Sequence, residues 1–299
     1  VEPSRTKRPR YPVRLGVVIL PDQPWAQASS RWRRAEEYGF DHAWTYDHVG
    51  WRDLVDGPWF DSLITLSAAA SITRRIGLGT MVASPNLRHP VSFARAITAL
   101  DDLSAGRVRL GLGAGGGAYD AAVFGAAELS PRERADRFIE FVDLLDRILG
   151  ERIVGTTSRG RYYTAIDARS TPGCVQQPRV PFIVASSGPR TMRLAARLGQ
   201  GWVTNGGAAS TQDGWWHEVA RRGDLFDTAL AAEGREPSTV DRFLMLEPAP
   251  VNALSSSAAF TDAVGRAAEL GFTDVVTHWP RASGWFAADE RVLDQIAPG

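Results

Sequence analysis

Short runs rich in β-branched residues alternate with longer amphipathic runs along the whole chain, the pattern of repeated βα units that build a parallel sheet. The apolar runs predict strands over 13–20, 42–46, 76–82, 108–112, 181–185, 201–204, 242–246 and 274–277. Between them, apolar positions at helical spacing predict helices over 29–38, 61–72, 91–103, 131–149, 191–198, 211–233 and 258–270, with a short further helix over 289–296. Gly39, Gly106, Gly150, Gly199 and Gly271 follow the last periodic residue of their helices, where a left-handed closing residue favours glycine. Eight strands close a barrel that its own side chains can fill. The expected fold is therefore α/β, a single (β/α)8 TIM barrel over 12–299 preceded by a disordered basic arm over 1–11. The stretch 152–180 breaks the alternation: it holds Tyr162, Tyr163 and prolines and has no helical period. It reads as an insertion between helix four and strand five, with room for a short hairpin.

Composition narrows the function. With 299 residues, 44% of them hydrophobic, the chain can bury one large core. Lys plus Arg and Asp plus Glu both number 34, so no summed field attracts nucleic acid or an anionic membrane, and the expected partner is a small molecule. The single cysteine, Cys174, rules out an intramolecular disulfide or a cysteine-rich zinc site and fits a reducing compartment, so a cytoplasmic, metal-free protein is expected. The start of the sequence has no apolar core of a secretion signal, and no run of about 18 apolar residues long enough to span a bilayer occurs. Ten tryptophans are many. Trp25, Trp51, Trp59, Trp279 and Trp285 fall in predicted loops, where they either pack under the loops or wall a planar ligand.

In such a barrel the chemistry sits just after the strands. Strand two ends in Tyr46-Asp47-His48, an ionisable pair that is either a hydrogen-bonded structural pair or part of a site. Strand four runs into Gly111-Leu112-Gly113-Ala114-Gly115-Gly116-Gly117. This matches the dinucleotide glycine pattern only formally, because the next predicted helix starts near Pro131; it reads better as backbone cleared for a flat ring, or as a tight turn with no ligand. Strand five ends in Ser186-Ser187-Gly188-Pro189-Arg190. Two hydroxyls, a helix start and an arginine there suit a phosphate, against the simpler reading of Ser187 as a helix cap. Gly206 and Gly207 add a glycine pair on the next loop.

Taken together in this order, these strings resemble the luciferase-like monooxygenase superfamily, and within it the branch that uses the deazaflavin coenzyme F420. The marks are Tyr46-Asp47-His48, Gly79-Thr80-Met81-Val82 with Pro85, Gly111-Leu112-Gly113-Ala114-Gly115 and Ser186-Ser187-Gly188-Pro189-Arg190, and the likeness runs from Val13 to about Pro280. The resemblance implies a cofactor across the barrel mouth. Its ring would lie by Asp47, His48, Met81, Val82, Ala114 and Gly115, and its phosphate by Ser186, Ser187, Gly188, Pro189 and Arg190. It also implies a non-prolyl cis peptide between Met81 and Val82, and His48 as the catalytic residue close to the ring. One departure stands out: related sugar-phosphate dehydrogenases carry a glutamate where this chain has Gly116, so their proton donor does not transfer. His48 leads the proton-transfer candidates, followed by Tyr119, Asp120, Asp53 and Glu247; Trp51, Trp59, Phe60 and Trp279 are candidate walls. The function implied is hydride transfer between F420 and a small organic substrate, for instance reduction of an unsaturated bond in a secondary metabolite. Two alternatives stay open: an FMN-dependent two-component monooxygenase of the same fold, and a flavin-binding barrel without turnover. By the same resemblance, members commonly form homodimers through barrel helices.

Overall fold

The computed structural model describes residues 10–116, 118–151 and 154–299. Most of the arm expected over 1–11, Gly117 of the glycine run and the first two residues of the expected insertion lie outside the described residues. The arm's last two residues are packed: the Arg10 guanidinium donates to the Ala297 carbonyl, and the buried Tyr11 hydroxyl donates to the Ile296 carbonyl.

The eight predicted strands close into one parallel barrel. In chain order the elements are β1 (Arg14–Val18), α1 (Trp25–Glu37), β2 (His42–Thr45), α2 (Ser62–Ile72), β3 (Gly77–Ala83), α3 (Pro90–Leu103), β4 (Val108–Leu112), α4 (Ala118–Val123) and α5 (Pro131–Gly150). They continue with β5 (Thr156–Arg159), β6 (Thr164–Ala168), β7 (Phe182–Ala185), α6 (Pro189–Leu198), β8 (Gly201–Thr204), α7 (Gln212–Ala232), β9 (Asp241–Met245), α8 (Ser257–Glu269), β10 (Asp274–His278) and α9 (Val292–Ile296). Around the barrel the strands run β1, β2, β3, β4, β7, β8, β9, β10, and β10 closes on β1 with Arg14 opposite Asp274. The insertion holds the antiparallel hairpin β5–β6.

Local chemistry accounts for the helix starts. Asp61 caps α2 by accepting from Leu63 N and Ile64 N. Ser130 and Glu133 form a reciprocal capping box ahead of α5, with Pro131 in its first turn, where its missing N–H costs nothing. The amphipathic helices press Trp32, Phe93, Phe138, Phe141 and Phe226 against the outside of the sheet, while Val18, Trp44, Met81, Ile183, Phe243 and Val276 fill the inside. These are the two apolar shells of a single barrel. The hairpin is tied to α5 by one carboxylate, Glu140, which accepts from the backbone N–H groups of Arg161, Tyr162 and Tyr163. Tyr163 packs edge-on against Phe141.

Three expectations change. A short helix, α4, follows the glycine run well before Pro131; at six residues it is too short to show a period. Of the five closing glycines, Gly39, Gly106 and Gly271 have φ of +83°, +79° and +79°. Gly150 is the last residue of its helix, and Gly199 has φ −75° with its N–H on the Ala195 carbonyl, so neither is left-handed. Trp25 opens α1 instead of lying in a loop.

The closed end of the barrel carries a buried polar cluster. Asp274 accepts from Arg14 Nε at 2.8 Å and Nη2 at 2.6 Å, from Thr273 Oγ1 at 2.6 Å, and faces His42 Nε2 at 2.9 Å. Because Trp44 Nε1 donates to His42 Nδ1, Nε2 is the nitrogen that carries the proton and donates to Asp274. Burial raises the Asp274 carboxyl, but the bonds from Arg14 and His42 outweigh it and hold the group well below the usual carboxylate range. Gly16 makes room for this: a Cβ there would lie 2.1 Å from His42 Nδ1.

Candidate active site

The ends of β2, β3, β4 and β7 bring the expected cofactor residues to one side of the barrel mouth. Asp47 and His48 follow each other in extended chain and point to different partners. Asp47 is buried and accepts from Ser62 Oγ at 2.6 Å, from Arg88 Nη2 at 2.6 Å and from Arg88 Nε at 3.1 Å. His48 turns to α4, where its Nδ1 lies 2.6 Å from the buried Asp120 Oδ2, while Asp120 Oδ1 accepts from Val49 N at 2.9 Å. The two are thus not a pair with each other. A carboxylate only accepts, so Nδ1 carries the proton and Nε2 is the nitrogen left for a ligand. Trp59 Nε1 donates to the His48 carbonyl at 2.8 Å and fixes the loop from the other side.

The Met81–Val82 peptide is cis, and the β3–β4 register shifts between Thr80 and Ala83. Met81 faces the barrel interior, with half-buried Val82 packed against the same cluster. The glycines of β4 answer to their neighbours: a Cβ at Gly111 would lie 1.9 Å from the Thr80 carbonyl oxygen, and one at Gly113 would lie 2.5 Å from Val82 Cγ2. At the end of the run Ala114 is half-buried. Gly115 has φ +75° and would meet Asn86, whereas a Cβ at Gly116 would meet nothing within 4 Å. Position 116 therefore has space for a side chain.

After β7 the simpler cap reading fails. The capping residue of α6 is Gly188, with no side-chain cap bond, Pro189 sits in the first turn, and Ser187 is exposed. Ser186 is buried and its Oγ has no partner among the described residues. Arg190 is half-exposed and its Nη2 is paired with Asp136 of α5. An uncapped helix start, an unpartnered buried hydroxyl and an arginine in the first turn together suit a phosphate group.

Across the mouth lies a second set, of which the sequence reading named Tyr46, Trp51, Trp285, Asp53 and Glu247 but not His278, Phe286 or Arg52. Tyr46 Oη is 2.8 Å from His278 Nε2 at the end of β10. Burial pushes the Tyr46 hydroxyl well up and the His278 imidazole down to about 3, so both are neutral at pH 7. His278 stacks on Phe286 at 3.7 Å, Phe286 on Trp51 at 5.4 Å, and the Arg52 guanidinium lies 4.3 Å over Trp51 and 3.9 Å over Trp285. These layers border a cleft of 540 Å³ between the loops after β9 and β10, into which Glu247 and Asp53 also face. Of the candidate walls, Trp51 stands at the mouth. Trp59 supports His48 and Phe60 is largely exposed, whereas Trp279 is buried on the outer side against Tyr38. Tyr119 is exposed. A histidine closing the eighth strand, as His48 follows the second, was the available signal for His278; Arg52 and Arg88 carried none.

A profile of the family described as luciferase-like monooxygenase matches residues 11–284. An F420-dependent glucose-6-phosphate dehydrogenase of Kineococcus radiotolerans is 35% identical over 217 residues, 72% of this chain and 61% of that protein. An F420-dependent hydroxymycolic acid dehydrogenase of Mycobacterium tuberculosis is 35% identical over 214 residues, 70% of this chain and 54% of that one. The chain thus spans between half and two thirds of the length of such curated relatives. A solved F420-dependent secondary alcohol dehydrogenase superposes with a TM-score of 0.78 over 95% of this chain and 99% of its own, at 18% identity, a likeness of fold. No helix among the described residues is long and apolar enough to cross a membrane.

Proposed function

The chain belongs to the luciferase-like monooxygenase family, and from that premise we propose that it is an oxidoreductase that uses coenzyme F420 to pass a hydride to or from a small organic substrate. The observation that carries the proposal is the unsatisfied polar set after β7: the partnerless Ser186 Oγ beside the uncapped start of α6. The names of the relatives, F420-dependent in each case cited, favour the deazaflavin over FMN.

When bound, the deazaflavin supplies the hydride chemistry. Ser186, Ser187 and Gly188, with Pro189 shaping the turn and Arg190 alongside, would hold its phosphate. Met81, Val82, Ala114, Gly115 and the Asp47–His48 segment would border its ring. His48 is the proton-transfer residue of this reading: Asp120 orients its ring through Nδ1, and Nε2 gives or takes the proton. The substrates named for the two dehydrogenases differ from each other, a sugar phosphate and a hydroxymycolic acid. The choice of substrate then rests with this chain's own loops, and reduction of an unsaturated bond in a secondary metabolite is the reaction we assign to them.

Parallel titrations of the purified protein with F420 and with FMN test the proposal. F420 should bind, and Arg190→Ala should weaken it by about 1–3 kcal/mol, the range for charge-assisted hydrogen bonds. Tighter binding of FMN, or an affinity for F420 indifferent to Arg190, overturns it.

A further inference from the structure

The cleft over β9 and β10 has the volume of a small-molecule site, 540 Å³, within the usual range of a few hundred to about 1,000 Å³. Its walls are aromatic and apolar, with Trp285 and Phe286 on one side and Leu246 and Leu254 on the other. Its charged lining is of one sign: Glu247 and Asp53 face it, and the described residues that line it include no lysine or arginine. Two cations stand behind the lining: Arg52 lies over both the Trp51 and Trp285 rings with its Nη2 3.7 Å from Glu247 Oε1, and Arg281 donates to the Trp285 carbonyl at 3.5 Å. Asp53 is likewise engaged, accepting from Trp285 Nε1 at 2.7 Å.

We propose that this cleft is the substrate site and that it takes an uncharged, flat, unphosphorylated organic molecule. This rests on the hydride-transfer reading for the word substrate; the binding itself does not. A phosphate dianion needs several cationic or N–H donors aimed at it, and here it would meet two carboxyl groups and a neutral histidine. Burial raises the Glu247 carboxyl from its ordinary value, with Arg52 opposing. Tyr46 links the two sides of the mouth, its ring edge-on to His48 at 6.0 Å between centroids and its hydroxyl 2.8 Å from His278, which lines the cleft. The cleft and the residues assigned to the cofactor thus share one barrel mouth. The relative's sugar phosphate is a poor fit to such a lining.

The test uses the protein without cofactor and two probes of one shape, 2-acetylnaphthalene and 2-naphthyl phosphate, each titrated calorimetrically at pH 7. The ketone should bind at least about tenfold more tightly than the phosphate ester, a gap of ~1.4 kcal/mol. Ala249→Phe, which fills the cleft, should abolish ketone binding. Absence of ketone binding, equal affinity for the ester, or unchanged binding to Ala249→Phe overturns the proposal. None of these results touches the F420 titration, so the two readings fail separately.

Discussion

The ion pair beneath the mouth gives the sharpest test of how the site is held. Asp47 and Arg88 meet through two bonds, of 2.6 and 3.1 Å, with side chains 2% and 18% exposed. At that separation, with an effective dielectric near 20, the gross attraction is about 5–6 kcal/mol, most of it offset by the desolvation of both ions. What matters for a variant is the charge left behind. Asp47→Asn strands Arg88 with Asp61 alone, at 2.9 Å and 45% exposed, so the cost should be about 2–3 kcal/mol, below the 3–5 of a fully buried pair. Arg88→Gln leaves the deeper partner, Asp47, with only the Ser62 hydroxyl, and should cost about 3–4 kcal/mol. The double variant should lose less than the sum, with a coupling of about 1.5–3 kcal/mol. Urea unfolding of the four proteins at pH 7, followed by far-ultraviolet circular dichroism, measures all three quantities. A coupling within about 0.5 kcal/mol of zero would refute the claim that this pair fixes the loop carrying His48.

Other outcomes follow from the same contacts. His48→Ala should lower turnover by about 10²- to 10⁴-fold with little change in cofactor affinity, and Asp120→Asn should reproduce part of that loss; steady-state rates beside cofactor titrations decide, and lost binding with intact turnover would make His48 a packing residue. His278 ordinarily titrates at 6.5 and is held at about 3 by burial. Below pH 6.5 the unfolded chain therefore takes up a proton that the folded chain refuses, and stability falls with pH. The stability advantage of wild type over His278→Gln should shrink by about 1.5–2 kcal/mol between pH 6.5 and 5, and a constant difference in urea unfolding over that range contradicts the argument. Gly111→Ala drives a Cβ into the Thr80 carbonyl and should cost more than about 3 kcal/mol, because backbone must move, whereas Gly116→Ala should stay within about 0.5 kcal/mol; equal melting temperatures would show that the strand glycines are not needed for packing.

The barrel was legible because its eight strands are runs that bury on both faces, such as Leu15 to Val18 in β1, and its helices are long enough to show their period. What stayed hidden was pairing at a distance. Asp120 stood in the sequence as one more strand-end acid, and only the short α4 turns it into the residue that orients His48, 72 positions away. Asp47 looked like a partner of its neighbour until Arg88 appeared 41 positions on. The glycines of β4 were read for a ligand, while at Gly111 and Gly113 the structure gives them to β3. Ser187 as a cap was the simpler alternative to a phosphate site, and it fails because the capping position of α6 is one residue later, at Gly188. The cleft was least visible of all, because its walls come from loops without period.

The layered wall of His278, Phe286, Trp51, Arg52 and Trp285 also ties the cleft to closure of the barrel. Its rings come from the loops after β2 and β10, joined by the Trp285–Asp53 bond across 232 positions of sequence. Joining positions so far apart closes most of the chain into one loop. The residues assigned to the cofactor follow β2, β3, β4 and β7, which are neighbours in the barrel, whereas the cleft needs β10 in place between β9 and β1. A chain cut short before β10 would keep the first set of residues and lack the cleft's walls, so the cleft is present only where the barrel is whole.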